Sequence, residues 1–131
     1  MGAGVQQDVA TVRAIYDAFN RRDLAAIRPH VAPHAELHGG PTERIADTGH
    51  PYRGLDGLQR YFADVARVWT DLRARPEDYR ATPGSVVVFG RLTGTHEGQR
   101  IDRRIVWTWR LEDGRVTSLS VSDVGGQAPA P

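Results

Sequence analysis

In the stretch "RVTSLSVSDV", Thr117, Leu119, Val121 and Asp123 fall on one face of a strand, so a carboxyl group continues an otherwise apolar row. Such a carboxyl projects toward an interior near its rim, where desolvation raises its pKa into the range useful for moving a proton. The competing reading is a solvated aspartate at a fraying strand end, just before Val-Gly-Gly. Tyr16 poses a similar choice, between a hydroxyl facing a ligand and an aromatic rung whose O–H a neighbour satisfies. His38 is a candidate base, since a histidine can take a proton at neutral pH. His30, His34 and His38 recur every four residues, the spacing of metal ligands on one helix face, but Pro29 and Pro33 interrupt any helix there, and no metal is expected. His50 and His96 read as loop histidines. Other chemistries lack their residues. There is no cysteine for a thiol nucleophile, disulfide or thiolate site, and all 17 basic residues are arginine, so no lysine can form a Schiff base.

The elements that position these groups follow from periodicity. Val9, Val12, Tyr16 and Phe19 recur every three or four residues, with Ile15 widening the stripe, which predicts an amphipathic helix over 5–20. "NRRD" is a turn, Asp23 stands at an N-cap position before "LAAI", and Pro29 limits that second helix to a turn or two. "HAELHG" alternates Ala35 and Leu37 with His34, Glu36 and His38, a short strand with one buried face. On its polar face, shared with His38, Glu36 is expected to pair with an arginine. Gly39 to Gly54 is polar, rich in Gly and Pro and without period, and reads as a long functional loop, a lid or a rim. Leu55, Leu58, Phe62, Val65, Trp69 and Leu72 then keep helical spacing over five turns.

The last fifty residues change in kind. "SVVVFGRLTGT", "RIDRRIVWTWRL" and "RVTSLSVSDV" are rich in β-branched and aromatic residues and are separated by the turn signals "HEGQ" and "EDG", which predicts a three-stranded antiparallel meander. A weaker strand, "LRARPEDYRATP", precedes it with Pro76 inside. Ile105, Trp107, Trp109 and Leu111 alternate with Arg104, Val106, Thr108 and Arg110, and the first set should face the helices. Gly90 and Gly94 leave space on that face or let the sheet bend. Arg103 and Arg104 read as part of a solvated outer face.

Helices followed by long antiparallel strands make an α+β order, with helices covering one face of a curved sheet. At 131 residues, 40% hydrophobic and 25% charged with a formal charge of +1, the chain is one domain, expected over residues 1–124 with a disordered tail at 125–131. Neither a nucleic-acid nor a membrane surface is indicated by this balance. No apolar run approaches a membrane span and the start does not read as a signal peptide, so a cytoplasmic location is expected. Arginine without lysine beside many Ala, Gly and Pro residues hints at a GC-rich bacterial genome.

The order of elements, with "VRAIYDAFNRRDLAAI", "HVAPHAELHG", "PYRGLDGLQRYFADV" and "VWTWRLEDGRVTSLSV", resembles the NTF2-like superfamily and within it the SnoaL-like group of polyketide cyclase and ketosteroid isomerase-like domains. The resemblance implies a cone-shaped barrel, three N-terminal helices packed on a curved, mostly antiparallel sheet. It implies a funnel for apolar, ring-containing ligands, with Phe19, Asn20, Phe62, Trp69, Trp107, Leu119 and Val121 as binding residues. In isomerase-like members a first-helix tyrosine donates to a developing oxyanion, and Tyr16 matches it. The two carboxyl groups of that site do not match, since the base falls at His38 or Gly39 and the acid at Trp107, so steroid isomerase chemistry in its usual form is excluded. Two aspartates bridged by an arginine, as in the epoxide hydrolases, are not evident. The implied activity is cofactor-independent general acid/base catalysis on a polyketide or terpenoid, by cyclisation, isomerisation or dehydration, with Tyr16, His38 and Asp123 as catalytic groups. The alternative is a non-catalytic binding or dimerising module of the same fold. A homodimer through the sheet, on Val87, Phe89 and Val106, is expected.

Overall fold

The computed structural model describes residues 2–46 and 51–125. Helix α1 (Gly2–Asn20) buries Val12, Ile15, Tyr16 and Phe19, the stripe its spacing predicts. Asp23 caps α2 (Leu24–Ile27) by accepting from the Ala26 N–H at 3.1 Å, and Pro29 ends it in a short 3₁₀ turn, Arg28–His30. Strand β1 (Val31–Gly39) follows.

The segment expected to be a loop holds two elements, helix α3 (Gly40–Ala46) and the short strand β2 (Tyr52–Arg53); His50 lies outside the described residues. A seven-residue helix is too short to show a period, so its polar composition masked it. Helix α4 (Gly54–Val68) stops a turn before its apolar spacing does. Trp69 is already extended and Asp71 takes a positive φ of 54°, so Leu72 belongs to the next strand although it sits at helical spacing.

Four strands complete the sheet: β3 (Thr70–Thr82), β4 (Ser85–His96), β5 (Gln99–Glu112) and β6 (Arg115–Gly125). Residues 126–131 of the expected tail lie outside the described residues. The β4–β5 and β5–β6 turns place Glu97-Gly98 and Asp113-Gly114 at positive φ, the geometry that tight hairpins require. The six-stranded order is β2-β1-β6-β5-β4-β3, antiparallel throughout except for the β1–β6 pair.

This is the α+β architecture expected, a curved and unclosed sheet wrapped on helices, with one extra short helix. Ile105, Trp107, Trp109 and Leu111 are buried on the inner face beside Val86, Val88 and Leu92 of β4. The two glycines of β4 leave no vacant space. A Cβ on Gly90 would lie 2.2 Å from the Arg75 carbonyl oxygen, where β3 bulges after Pro76, and one on Gly94 would meet the Trp69 ring and Leu72.

Candidate functional site

Between the sheet and the helices lies a cavity of about 100 Å³. Since a single water needs about 10–15 Å³ on a comparable scale, the space suits a ring-sized molecule. Helices α1 and α4 contribute Ile15, Tyr16, Phe19, Leu58, Tyr61 and Phe62; the sheet contributes Leu37, Tyr52, Ala74, Leu92 and Leu119 together with Trp107 and Trp109. The wall is almost wholly apolar and aromatic. Phe19 meets Phe62 edge-on at 5.7 Å, and the Tyr16 ring stands edge-on to Trp107 at 5.2 Å and to Trp109 at 5.5 Å.

Tyr16 is the polar centre of this wall. Trp109 donates its indole N–H to the Tyr16 hydroxyl oxygen at 3.1 Å, in the buried interior. Among the described residues the Tyr16 hydroxyl proton has no acceptor. Burial pushes the Tyr16 pKa well above the ordinary phenol value, against the smaller opposing effect of the Trp109 donor, so Tyr16 is a neutral donor at any physiological pH. Tyr52 is also held protonated, first by burial and then by its hydrogen bond to Asp64, to which it donates at 2.6 Å.

Of the expected binding residues, Phe19, Phe62, Trp107 and Leu119 line the cavity, and Asn20, Trp69 and Val121 do not. Asn20 turns its amide to the backbone of β3, donating to the Ala74 carbonyl and accepting from the Ala74 N–H, both at 2.9 Å. That clamp presents the Ala74 methyl to the cavity instead. Trp69 donates its indole N–H to the Thr42 hydroxyl at 2.9 Å and lies over Gly94. Val121 packs beneath the start of α3, where a Cβ on Gly40 would sit 2.9 Å from its Cγ1.

The expected proton-moving pair is not brought together. His38 pairs with Ser120 of β6 and Leu37 with Leu119, so strand alternation places His38 and Glu36 on the face opposite the cavity-lining Leu37. There His38 contacts Glu36 at 3.0 Å and Glu36 contacts Arg53 at 3.3 Å. Glu36 nevertheless borders the cavity, the one carboxylate residue to do so among the described residues.

Asp123 does sit on the inner row opposite Ile105, and its side chain is only 9% exposed. Its expected upward pKa shift is overturned. Burial does raise it, but the Arg103 guanidinium, the Gly125 N–H and Arg44 outweigh that and hold the carboxyl below the ordinary value. Arg103 grips both carboxylate oxygens at 2.9 Å, and Arg44 of α3 reaches one at 3.4 Å. Asp123 therefore straps α3 to the sheet as a fixed anion, and Arg103, read as outer-face, is its main partner.

Tyr52, Tyr61 and Trp109 were not anticipated in the site. The alternation in β5 already put Trp109 beside Trp107, and the α4 stripe put Tyr61 beside Phe62; Tyr52 had no such signal inside an aperiodic stretch.

A model of the SnoaL-like domain matches residues 12–119. The chain belongs to the SnoaL-like family. This SnoaL-like protein is similar in structure to an NTF2-like protein of unknown function from Burkholderia pseudomallei, with 24% identity and a TM-score of 0.81 over 89% of this chain and 90% of that one. It is similar to TerC co-crystallised with polyporic acid, with 24% identity and a TM-score of 0.80 over 89% and 91%. A protein described as a SnoaL-like polyketide cyclase, from a Jannaschia species, shares 20% identity at a TM-score of 0.75 over 97% and 96%. Among curated proteins, none matches the chain by sequence. At these identities the likeness carries the NTF2-like fold. No helix among the described residues is long and apolar enough to cross a membrane.

Proposed function

We propose that this SnoaL-like protein binds an apolar, ring-containing small molecule in the cavity between α1, α4 and the sheet, with Tyr16 as its main polar contact. One observation carries the reading: the cavity is lined by aromatic and aliphatic side chains around a buried hydroxyl whose proton has no acceptor among the described residues. Pockets that are mostly apolar with a few orienting polar groups suit such ligands. The relatives co-crystallised with polyporic acid or described as a polyketide cyclase are consistent with it.

A catalytic version is favoured by Tyr16 itself. A neutral, desolvated donor polarises a carbonyl and stabilises charge developing on its oxygen. His38 and Asp123, as placed, do not supply the base, and Glu36 turns its carboxylate to His38 and Arg53 on the face opposite Leu37. Cyclisation, isomerisation and dehydration all fit this arrangement, and none needs a cofactor. The exposed outer face, with Phe89 41% exposed near Val87 and Val106, supports a homodimer through the sheet.

The test is calorimetric titration with a panel of ring ketones and quinones, followed by product analysis. Wild type should bind members of the panel, Tyr16→Phe should bind the same members roughly 3- to 10-fold more weakly through loss of one hydrogen bond, and Leu119→Trp, which fills the cavity, should bind none. Undiminished binding by Leu119→Trp would place the ligand elsewhere and end the proposal. Product formation by wild type that is lost in Tyr16→Phe selects the catalytic version.

A further inference from the structure

A phenol oxygen offers one strong acceptor direction and one proton. In this protein the acceptor direction of Tyr16 is occupied by the Trp109 indole N–H at 3.1 Å, and the proton has no acceptor among the described residues. Trp109 is itself immobile: it is 5% exposed, faces Leu119 across the β5–β6 ladder and stands edge-on to the Tyr16 ring. Beside it Trp107 also lines the cavity, edge-on to the Tyr16 ring. A buried donor without an acceptor costs free energy, and a ligand oxygen placed in the cavity removes that cost.

We infer that Trp109 is a positioning residue that makes Tyr16 a one-way hydrogen-bond donor, so the cavity selects ring ligands carrying a carbonyl-type acceptor over ring ligands that only donate. This rests on the ligand-binding reading above and narrows its substrate class. The mechanism is exclusion as much as attraction. A ligand N–H or O–H brought to Tyr16 meets an oxygen already engaged and a proton pointing outward, and its own donor is left unsatisfied. Rotation of the Tyr16 O–H cannot relieve this, because the competing donor is fixed in the sheet.

Three probes of one size separate the possibilities: 1-indanone, which only accepts; indole, which only donates; and indane, which does neither. Wild type should bind 1-indanone more tightly than indane and indole, and the carbonyl stretch of bound 1-indanone should be shifted to lower frequency than in hydrocarbon solvent. Trp109→Phe keeps an aromatic ring and frees the Tyr16 oxygen. It should cut the 1-indanone to indole affinity ratio by roughly 3- to 10-fold, the size of one neutral hydrogen bond, and reduce the carbonyl shift, while indane binding changes less. An unchanged ratio and carbonyl shift in Trp109→Phe overturns the inference while leaving ligand binding intact, as does a wild type that binds indane as well as 1-indanone. If none of the three binds, indane included, the cavity reading fails and the inference with it. Should Trp109→Phe not fold, Tyr16→Phe carries the comparison. There 1-indanone must lose its advantage with indole unmoved, and an equal loss for indole would show that Tyr16 had been accepting.

Discussion

Trp69→Phe separates the two roles open to this side chain, a wall of the cavity or a clasp between α3 and the sheet. The substitution removes the indole N–H that donates to the Thr42 hydroxyl at 2.9 Å, a buried bond for which about 1 kcal/mol of net stability is the ordinary loss. It also removes part of a ring 7% exposed and packed over Gly94. A residual void of roughly 35 Å³ at about 24 cal/mol per Å³ adds nearly the same again. The expected destabilisation is therefore about 2 kcal/mol. With an unfolding entropy of about 2.1 cal/mol/K per residue over 131 residues, the melting temperature should fall by roughly 7 °C. Scanning calorimetry gives this number, and titration with 1-indanone on the same sample should give an affinity within twofold of wild type. The reasoning is refuted if the melting temperature holds while affinity drops tenfold or more, for Trp69 would then face the ligand.

Asp123→Asn should lower the melting temperature at pH 7 and leave 1-indanone affinity within twofold, since the carboxylate serves Arg103 and Arg44 and not the cavity. Because its folded pKa is depressed, its stabilising contribution is complete above about pH 4 and is lost as pH falls through the depressed value, so wild-type and variant melting curves should converge on acidification; a gap that widens toward acid contradicts the ion-pair role. Phe89→Glu should convert a sheet-mediated dimer to monomer in sedimentation velocity, and a wild type that is already monomeric at micromolar concentration disposes of that interface.

Local patterns made most of this fold legible. The spacing of Val12, Tyr16 and Phe19, the Asp23 cap, the Pro29 stop and the Gly-containing turns of the meander each act within a few residues, and each appears in the structure as expected. Alternation in β5 and β6 also assigned Trp107, Leu119 and Asp123 to the inner face correctly. What alternation does not convey is what stands opposite each side chain. Asp123 shares a row with Leu119, yet an arginine on β5 and another on α3 neutralise it, and those residues lie 20 and 79 positions away. His38 shows the complementary failure: its parity with Glu36 was already written in "HAELHG", and only the β1–β6 register shows that this parity faces away from Leu37 and Leu119.

The amino-acid sequence by itself determined most of the elements, the faces they bury and the aromatic character of the interior, because those depend on short-range periodicity and on transfer of apolar surface from water. Tertiary structure alone decided which polar groups meet. A hydrogen bond needs two atoms within about 3 Å at a defined angle, and the bond that shapes this site joins Tyr16 to Trp109, 93 residues apart, where no local pattern can register the pairing.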